Sequence, residues 1–449
     1  METLFLERMK NELKEDYEAF VDSLSSPLLR GLRYDPRKLS REKLDANVPL
    51  GKPSPFCPQS FYVDRPLGNH PYHLAGAFYL QEPSASSAVQ ILDVQPEDIV
   101  LDLCAAPGGK STQIASHLDD GILVCNEYDS KRAMILLSNL ERMGVQNFVL
   151  TQGEVGPLCE ELHDCFDKVL VDAPCSGEGM MKKHDAAMQS WSLEHVQACA
   201  RRQKEILSCA YRALKKDGIL VYSTCTYSKE ENEEVIAAFL KEHPDMIQID
   251  PDCSFGRRGI PTLGMDAQKV VRIYPMDGGE GHFVCKMQKT AGTKRALPVQ
   301  KFKKRDRKTE EALGQWIRSI PKQILVQKDH VYVMDHPFLK LSQVRVLRQG
   351  ILAGTWIKNR LEPAHALFQA FSKENYVLTQ ELSLEQMDEV MHGAPIVSQV
   401  SKGYVAYCID GLPFGFGKSD GHRINNKIPK GLRLLPGSHV KKEIEKHER

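Results

Sequence analysis

The sequence predicts an α/β protein centred on a parallel sheet covered on both faces, and three observations predict it. Between Asp98 and Lys241, short apolar runs alternate with stretches of helical periodicity, the pattern of a parallel sheet with helices on its faces. A glycine-rich turn, Ala106-Pro107-Gly108-Gly109-Lys110, joins the first of those runs to the first of those helices. Cys175 and Cys225 each follow a later apolar run, which puts both thiols at the carboxyl edge of the sheet, where open α/β folds bind ligands.

The elements follow in order. Leu6, Met9, Leu13, Tyr17, Phe20, Val21 and Leu24 recur at helical spacing, and Ser25-Ser26-Pro27 ends that helix. Leu29 to Tyr34 reads as a strand carrying Arg30 and Arg33, and the proline-rich stretch from Gly51 to Pro71 as loop. Strands are predicted at Ile99–Leu103, Ile122–Cys125, Asn147–Thr151, Phe166–Val171 and Ile219–Tyr222. Helices are predicted at Ser111–Leu118, Lys131–Met143 and Leu193–Leu214. Ser228-Lys229-Glu230-Glu231 reads as a capping box opening a further helix. After Met287, basic residues from Lys294 to Lys308 crowd a segment with few apolar ones. This is a basic linker, either a solvated hinge or a strip that contacts phosphates. Beyond it Glu311 to His392 mixes short strands and helices, and short strand patterns dominate from Ala394 onward.

Composition excludes more than it names. The chain has 449 residues, 59 Lys and Arg against 59 Asp and Glu, and so no net charge that points to a partner. No segment has the length and apolarity of a membrane span, and Met1 to Lys14 lacks the features of a secretory leader, so a cytoplasmic protein is expected. The twelve cysteines include no Cys-x-x-Cys pair, so no metal site is expected and most thiols read as small buried hydrophobes.

The glycine turn opens a helix, and Glu127 ends the next strand about twenty residues on, the spacing at which a carboxylate meets ribose hydroxyls. The Gly-x-Gly-x-x-Gly of nicotinamide sites is absent, as is the first glycine of a Walker loop. Without a phosphate cradle, S-adenosylmethionine is the expected cofactor.

Together these residues resemble the Nop/Sun family of RNA cytosine carbon-5 methyltransferases. The resemblance begins at Gly76-Ala77-Phe78-Tyr79-Leu80-Gln81-Glu82-Pro83-Ser84. It runs through Asp102–Ser111, Asp172–Gly179 and Ser223–Glu231, and closes with Arg272-Ile273-Tyr274-Pro275 and Gly279-Glu280-Gly281-His282-Phe283. The segments Arg345–Gly350, Pro363–Leu367, Pro413–Gly417 and Lys430–Arg433 resemble the bacterial branch called small-subunit ribosomal RNA methyltransferase F. The resemblance implies a Rossmann-like class I methyltransferase sheet (76–288) behind an N-terminal α+β RNA-binding extension (1–75). A basic linker (289–310), a middle α+β domain (311–393) and a PUA-like β-rich module (394–449) then follow. It implies a monomer acting on 16S ribosomal RNA or the small ribosomal subunit. Transfer RNA or large-subunit RNA is the alternative substrate, and a non-catalytic RNA-binding assembly factor the alternative class.

For the cofactor the resemblance points to Cys104, Ala105, Ala106, Pro107, Gly108, Gly109, Lys110, Glu127 and Asp172. Glu154 stands where the family commonly has an Asp on the adenine side. For RNA backbone, Arg30, Arg33, Lys182 and Lys183 are the candidates. Carbon 5 of cytosine is a poor nucleophile, and a thiolate adding to carbon 6 activates it. Spacing does not decide which thiol attacks. The RNA family implies Cys225 as nucleophile and Cys175 as the helper in release. Asp172, as a protonated carboxyl, is expected to stabilise charge at ring nitrogen 3.

Overall fold

The computed structural model describes residues 2–182, 191–300 and 306–441. Lys183, Lys301, Lys303, Lys304 and Arg305 lie outside them. Three short strands, β1 (Gly31–Tyr34), β2 (Ser60–Tyr62) and β3 (Phe78–Leu80), form an antiparallel sheet with β1 in the centre. The large sheet follows, built from β4 (Ile99–Asp102), β5 (Ile122–Glu127), β6 (Phe148–Gln152), β7 (Phe166–Asp172), β8 (Leu214–Thr224), β9 (Met246–Ile249), β10 (Val270–Ile273) and β11 (His282–Lys289). Its order is β10-β11-β8-β7-β4-β5-β6, with β9 also on β11. β4 to β8 run parallel and β11 antiparallel to β8.

The burial pattern explains why these segments are strands. Leu101, Val124, Val169 and Tyr222 enter one apolar cluster, while their neighbours Val100, Leu123, Leu170 and Val221 enter another. Successive side chains of a strand point to opposite faces, so a strand covered on both sides is apolar throughout. The chain leaves β4 towards β5 and β6, then crosses back to β7 and β8. The order therefore reverses between β4 and β7, and a crevice opens at their carboxyl ends.

Beyond β11 the structure departs from the expected linker. Leu297 is buried in the core of the large sheet, Val299 bridges Leu339, and the Arg295 amide donates to the Asp164 carbonyl at 2.8 Å. This part of the segment packs on the sheet because its few apolar side chains find the core. β12 (Gln323–Gln327), β13 (His330–Met334), β15 (Ile351–Ile357) and β16 (Arg360–Pro363) form a four-stranded sheet, but β14 (Arg345–Gln349) leaves it to pair antiparallel with β6. The last sheet has the order β17 (Thr379–Glu381), β19 (Gly403–Ile409), β20 (Leu412–Ser419), β21 (Arg423–Asn426) and β18 (Ile396–Val397). It takes in β17 and the helix Leu384–Met391, so this unit begins before residue 394. Its Met387, Tyr407 and Phe414 share one apolar cluster with Leu32, Phe61 and Phe78 of the N-terminal unit. No helix among the described residues is long and apolar enough to cross a membrane.

Candidate active site

Neighbouring parallel strands bring the two cysteines together. β7 and β8 pair in the register Asp172 to Ser223, and the Ala173 amide donates to the Ser223 carbonyl at 2.8 Å. The chains that leave these strands set the Cys175 and Cys225 Sγ atoms 3.3 Å apart. Gly179 closes the first loop onto the second, its amide donating to the Cys225 carbonyl at 2.9 Å. A Cβ there would stand 2.9 Å from the Glu280 carbonyl oxygen and 3.0 Å from that of Cys225, so only glycine fits. The hydrogen bond to Cys225, with burial, pushes the Cys175 thiol well above its ordinary value. Cys175 thus keeps its proton. Among the other cysteines Cys57, Cys125, Cys159, Cys165, Cys285 and Cys408 are buried.

Asp172 ends β7 beside this pair. Its Oδ1 accepts from the Ser223 hydroxyl at 2.7 Å and its Oδ2 from Lys110 Nζ at 2.8 Å. Burial pushes the carboxyl up, but Lys110 and these hydrogen bonds outweigh it and hold it below the usual carboxylate range. The expectation of a protonated Asp172 is therefore corrected. The group is an ionised acceptor, because the lysine of the glycine turn reaches it. Lys110 responds in kind: burial works against its ammonium, Asp172 outweighs burial, and the value rises. His282, at the start of β11, is pushed down to about 3 by burial and by Lys110, so it is neutral. Its Nδ1 lies 3.0 Å from the Ser84 hydroxyl.

The glycine turn is held open by its surroundings. Gly108 has a φ of +111° and caps the helix Gly109–His117, a conformation L side chains rarely adopt. The Ala105 amide donates to the Asn126 carbonyl at 3.0 Å, and the Ala106 amide to Glu127 Oε2 at 3.3 Å. Arg132 and Asn139 donate to the Ala106 and Pro107 carbonyls at 2.8 and 2.9 Å. Cys104 lies in the turn beyond β4. Asp102 ends β4. Its Oδ2 accepts from Ser111 at 2.7 Å, whereas its buried Oδ1 has no hydrogen-bond partner. Burial pushes this carboxyl up to about 7. An orphaned buried acceptor beside a helix N-terminus and a buried acid at the end of β5 fit a ligand with an amino group and ribose hydroxyls. S-adenosylmethionine is such a ligand.

Other expected residues are placed elsewhere. Glu154 is exposed and faces Arg202 at 3.7 Å. Arg202 also lies 5.2 Å from the ring centroid of Tyr128. Tyr128 follows Glu127 with 58% of its surface exposed. Sequence reading missed it, although an aromatic beside the acid of a nucleoside site was the available signal.

Arg33 is buried, not an RNA contact. It donates to the Gly109 carbonyl at 3.1 Å and to Thr112 Oγ1 at 2.9 Å, tying β1 to the back of the glycine turn. Lys182 is held by Glu280 and the Pro27 carbonyl at 3.4 and 3.3 Å, while Arg30 is exposed. Arg33→Leu is therefore expected to weaken S-adenosylmethionine binding about tenfold, the scale of a lost charged hydrogen bond, and to leave RNA affinity unchanged. Calorimetry for the cofactor and filter binding for RNA measure the two. A loss in RNA affinity alone would restore the original assignment.

The capping box is also corrected. The helix begins at Glu233, with no side-chain cap from Asn232. Ser228 bonds Glu230 at 2.8 Å, and Glu231 is buried behind the two cysteine loops. Glu178 is buried there too, accepting from Trp191 Nε1 at 2.8 Å and the Tyr227 amide at 2.9 Å.

Comparison with known proteins covers nearly the whole chain. Residues 1–83 match the N-terminal domain of 16S rRNA methyltransferase RsmF, and 89–288 the 16S rRNA methyltransferase RsmB/F family. Residues 307–371 match the RsmF rRNA methyltransferase first C-terminal domain, and 377–434 the methyltransferase RsmF PUA domain. A protein named ribosomal RNA small subunit methyltransferase F from Psychromonas ingrahamii is 32% identical over 94% of each chain. Its namesake from Vibrio cholerae is 30% identical over 92% of this chain and 93% of its own. A solved methyltransferase homolog protein from Pyrococcus horikoshii is 28% identical with a TM-score of 0.57, covering 64% of this chain and 94% of that one.

Proposed function

The chain belongs to the 16S rRNA methyltransferase RsmB/F family, and on that premise we propose that it methylates carbon 5 of a cytosine in 16S ribosomal RNA, with Cys225 as the attacking thiol. It is an S-adenosylmethionine-dependent rRNA methyltransferase. The cofactor, when bound, supplies the electrophilic methyl group of its sulfonium. The glycine turn, Asp102 and Glu127 would hold it at the switch point between β4 and β7.

The observation that carries the reading is the thiol pair, 3.3 Å apart, at the carboxyl ends of the paired strands β7 and β8. Of the two sulfurs, the resemblance to RNA cytosine carbon-5 methyltransferases assigns the attack to Cys225. Its thiolate adds to carbon 6, the 5,6 double bond opens, and carbon 5 becomes the nucleophile. The base must leave its stack to reach this position. Asp172, ionised by Lys110, accepts from the exocyclic amino group, which cytosine has and uracil lacks. The Lys110 ammonium offsets the negative charge that spreads onto the ring. After methylation the carbon 5 proton leaves to a base, the double bond reforms, and the carbon–sulfur bond breaks. Cys175 then shares its proton with the departing sulfur. Arg30 and the PUA-like module are assigned to RNA, and the chain acts as a monomer.

Bisulfite sequencing of cellular RNA with and without this protein tests the substrate. Protection of specific 16S cytosines is expected to vanish in its absence. Unchanged 16S rRNA with lost protection in transfer RNA would redirect the assignment.

A further inference from the structure

We propose that Glu231 is the positioning residue that sets the separation of the two reacting thiols. Its carboxylate is buried and receives four donors. Oε1 accepts from the Ser176 hydroxyl, at short range, and from the Thr226 hydroxyl at 3.3 Å; Oε2 accepts from the Ser176 amide and Gln203 Nε2, both at 2.9 Å. Donors from two loops and one helix converge on this one side chain.

The donors are not scattered. Ser176 adjoins Cys175, and Thr226 adjoins Cys225. Gln203, from the helix Leu193–Ala213, also donates to the Pro174 carbonyl at 3.0 Å, so Cys175 is flanked on both sides by residues tied to Glu231. The Glu231 backbone is itself fixed, its carbonyl accepting from the buried Tyr222 hydroxyl at 2.6 Å. Asn232 completes the clamp. It accepts from Thr224 at 2.6 Å and donates to the Thr226 carbonyl at 2.9 Å, closing the chain around Cys225. One side chain thus bridges the two loops that carry the reacting sulfurs. Burial pushes this carboxyl up to about 7, so the arrangement is held against a desolvation penalty. A merely space-filling contact would need no such group.

The proposal rests on the assignment of Cys225 and Cys175 as the reacting thiols. Its test uses the full chain with Glu231→Ala and Glu231→Gln. Steady-state kinetics are measured beside the rate at which dibromobimane bridges Cys175 to Cys225 in substrate-free protein, read by peptide mass spectrometry. Glu231→Ala is expected to lower kcat about 100-fold, the effect of a displacement of roughly 1 Å at reacting groups. KM for S-adenosylmethionine is expected to stay within about twofold. Bridging of the cysteines is expected to slow about tenfold, in step with the lost alignment. Glu231→Gln, which keeps an accepting oxygen, is expected to recover part of both losses. If the alanine variant does not fold, Ser176→Ala, which removes one of the four ties, is expected to show a smaller loss in the same two readouts.

Wild-type bridging rates in these folded variants, or activity lost only in proportion to unfolded protein, would overturn the proposal. The bridging rate, taken relative to single alkylation of each cysteine so that thiol reactivity cancels, reads the arrangement of the two thiols whatever the enzyme methylates. A wild type that transfers no methyl to RNA while the variants still slow bridging would therefore sink the functional reading and leave the role of Glu231 standing.

Discussion

Cys225→Ala is expected to abolish methyl transfer and the covalent RNA adduct together, whereas Cys175→Ala is expected to form an adduct and hold it. Removing a covalent nucleophile lowers turnover by about a millionfold, which places the Cys225 variant below detection. Cys175 is not a substitute, although its sulfur lies only 3.3 Å away. Burial and its bond to Cys225 keep its proton in place, and the thiolate is the reactive form. In the Cys175 variant the attacking sulfur is present, but the donor that assists its departure is gone. Denaturing gels of each variant, incubated with substrate RNA and cofactor, separate free from bound RNA. An adduct with the Cys225 variant would exchange the two roles, and none with either variant would remove the covalent step.

Lys110→Met is expected to lower methyl transfer about 100- to 1,000-fold, the range for removing one preorganised electrostatic partner. It is also expected to change the pH dependence. In the native protein Asp172 lies below the ordinary carboxylate range. Its ionised contribution is present above that range and disappears only as the pH falls through the depressed value. Without Lys110 the burial that opposes ionisation remains and its main counterweight is lost. The loss on acidification then begins at higher pH, so the activity of the variant climbs with pH over a range where the native enzyme is flat. Single-turnover rates across a pH series test this. A variant with the native profile would show that Lys110 does not set the state of Asp172.

What could be read from the sequence was what is local. Alternating apolar runs, the glycines of the turn and the cysteines after β7 and β8 each announce themselves within about ten residues, because backbone geometry imposes short periods. The Lys110–Asp172 pair joins positions far apart in the chain, and no local pattern encodes it. The protonation state assigned to Asp172 failed for that reason. Arg33 failed similarly: an arginine on a short strand reads as surface until Gly109 and Thr112 are seen to receive it. In Ser228–Glu231 a genuine capping pattern was outcompeted by buried donors on the Cys175 loop and on the helix Leu193–Ala213.

The pairing of β14 with β6 bears on how the protein can be dissected. Composition invites a cut after Met287 that would isolate the cofactor-binding half. Such a truncation would strip β6 of its neighbour and lay bare a row of unpaired amides and carbonyls, the kind of template on which copies stack and precipitate. The C-terminal half therefore doubles as a built-in guard against aggregation, and the catalytic half has to be studied with its guard attached.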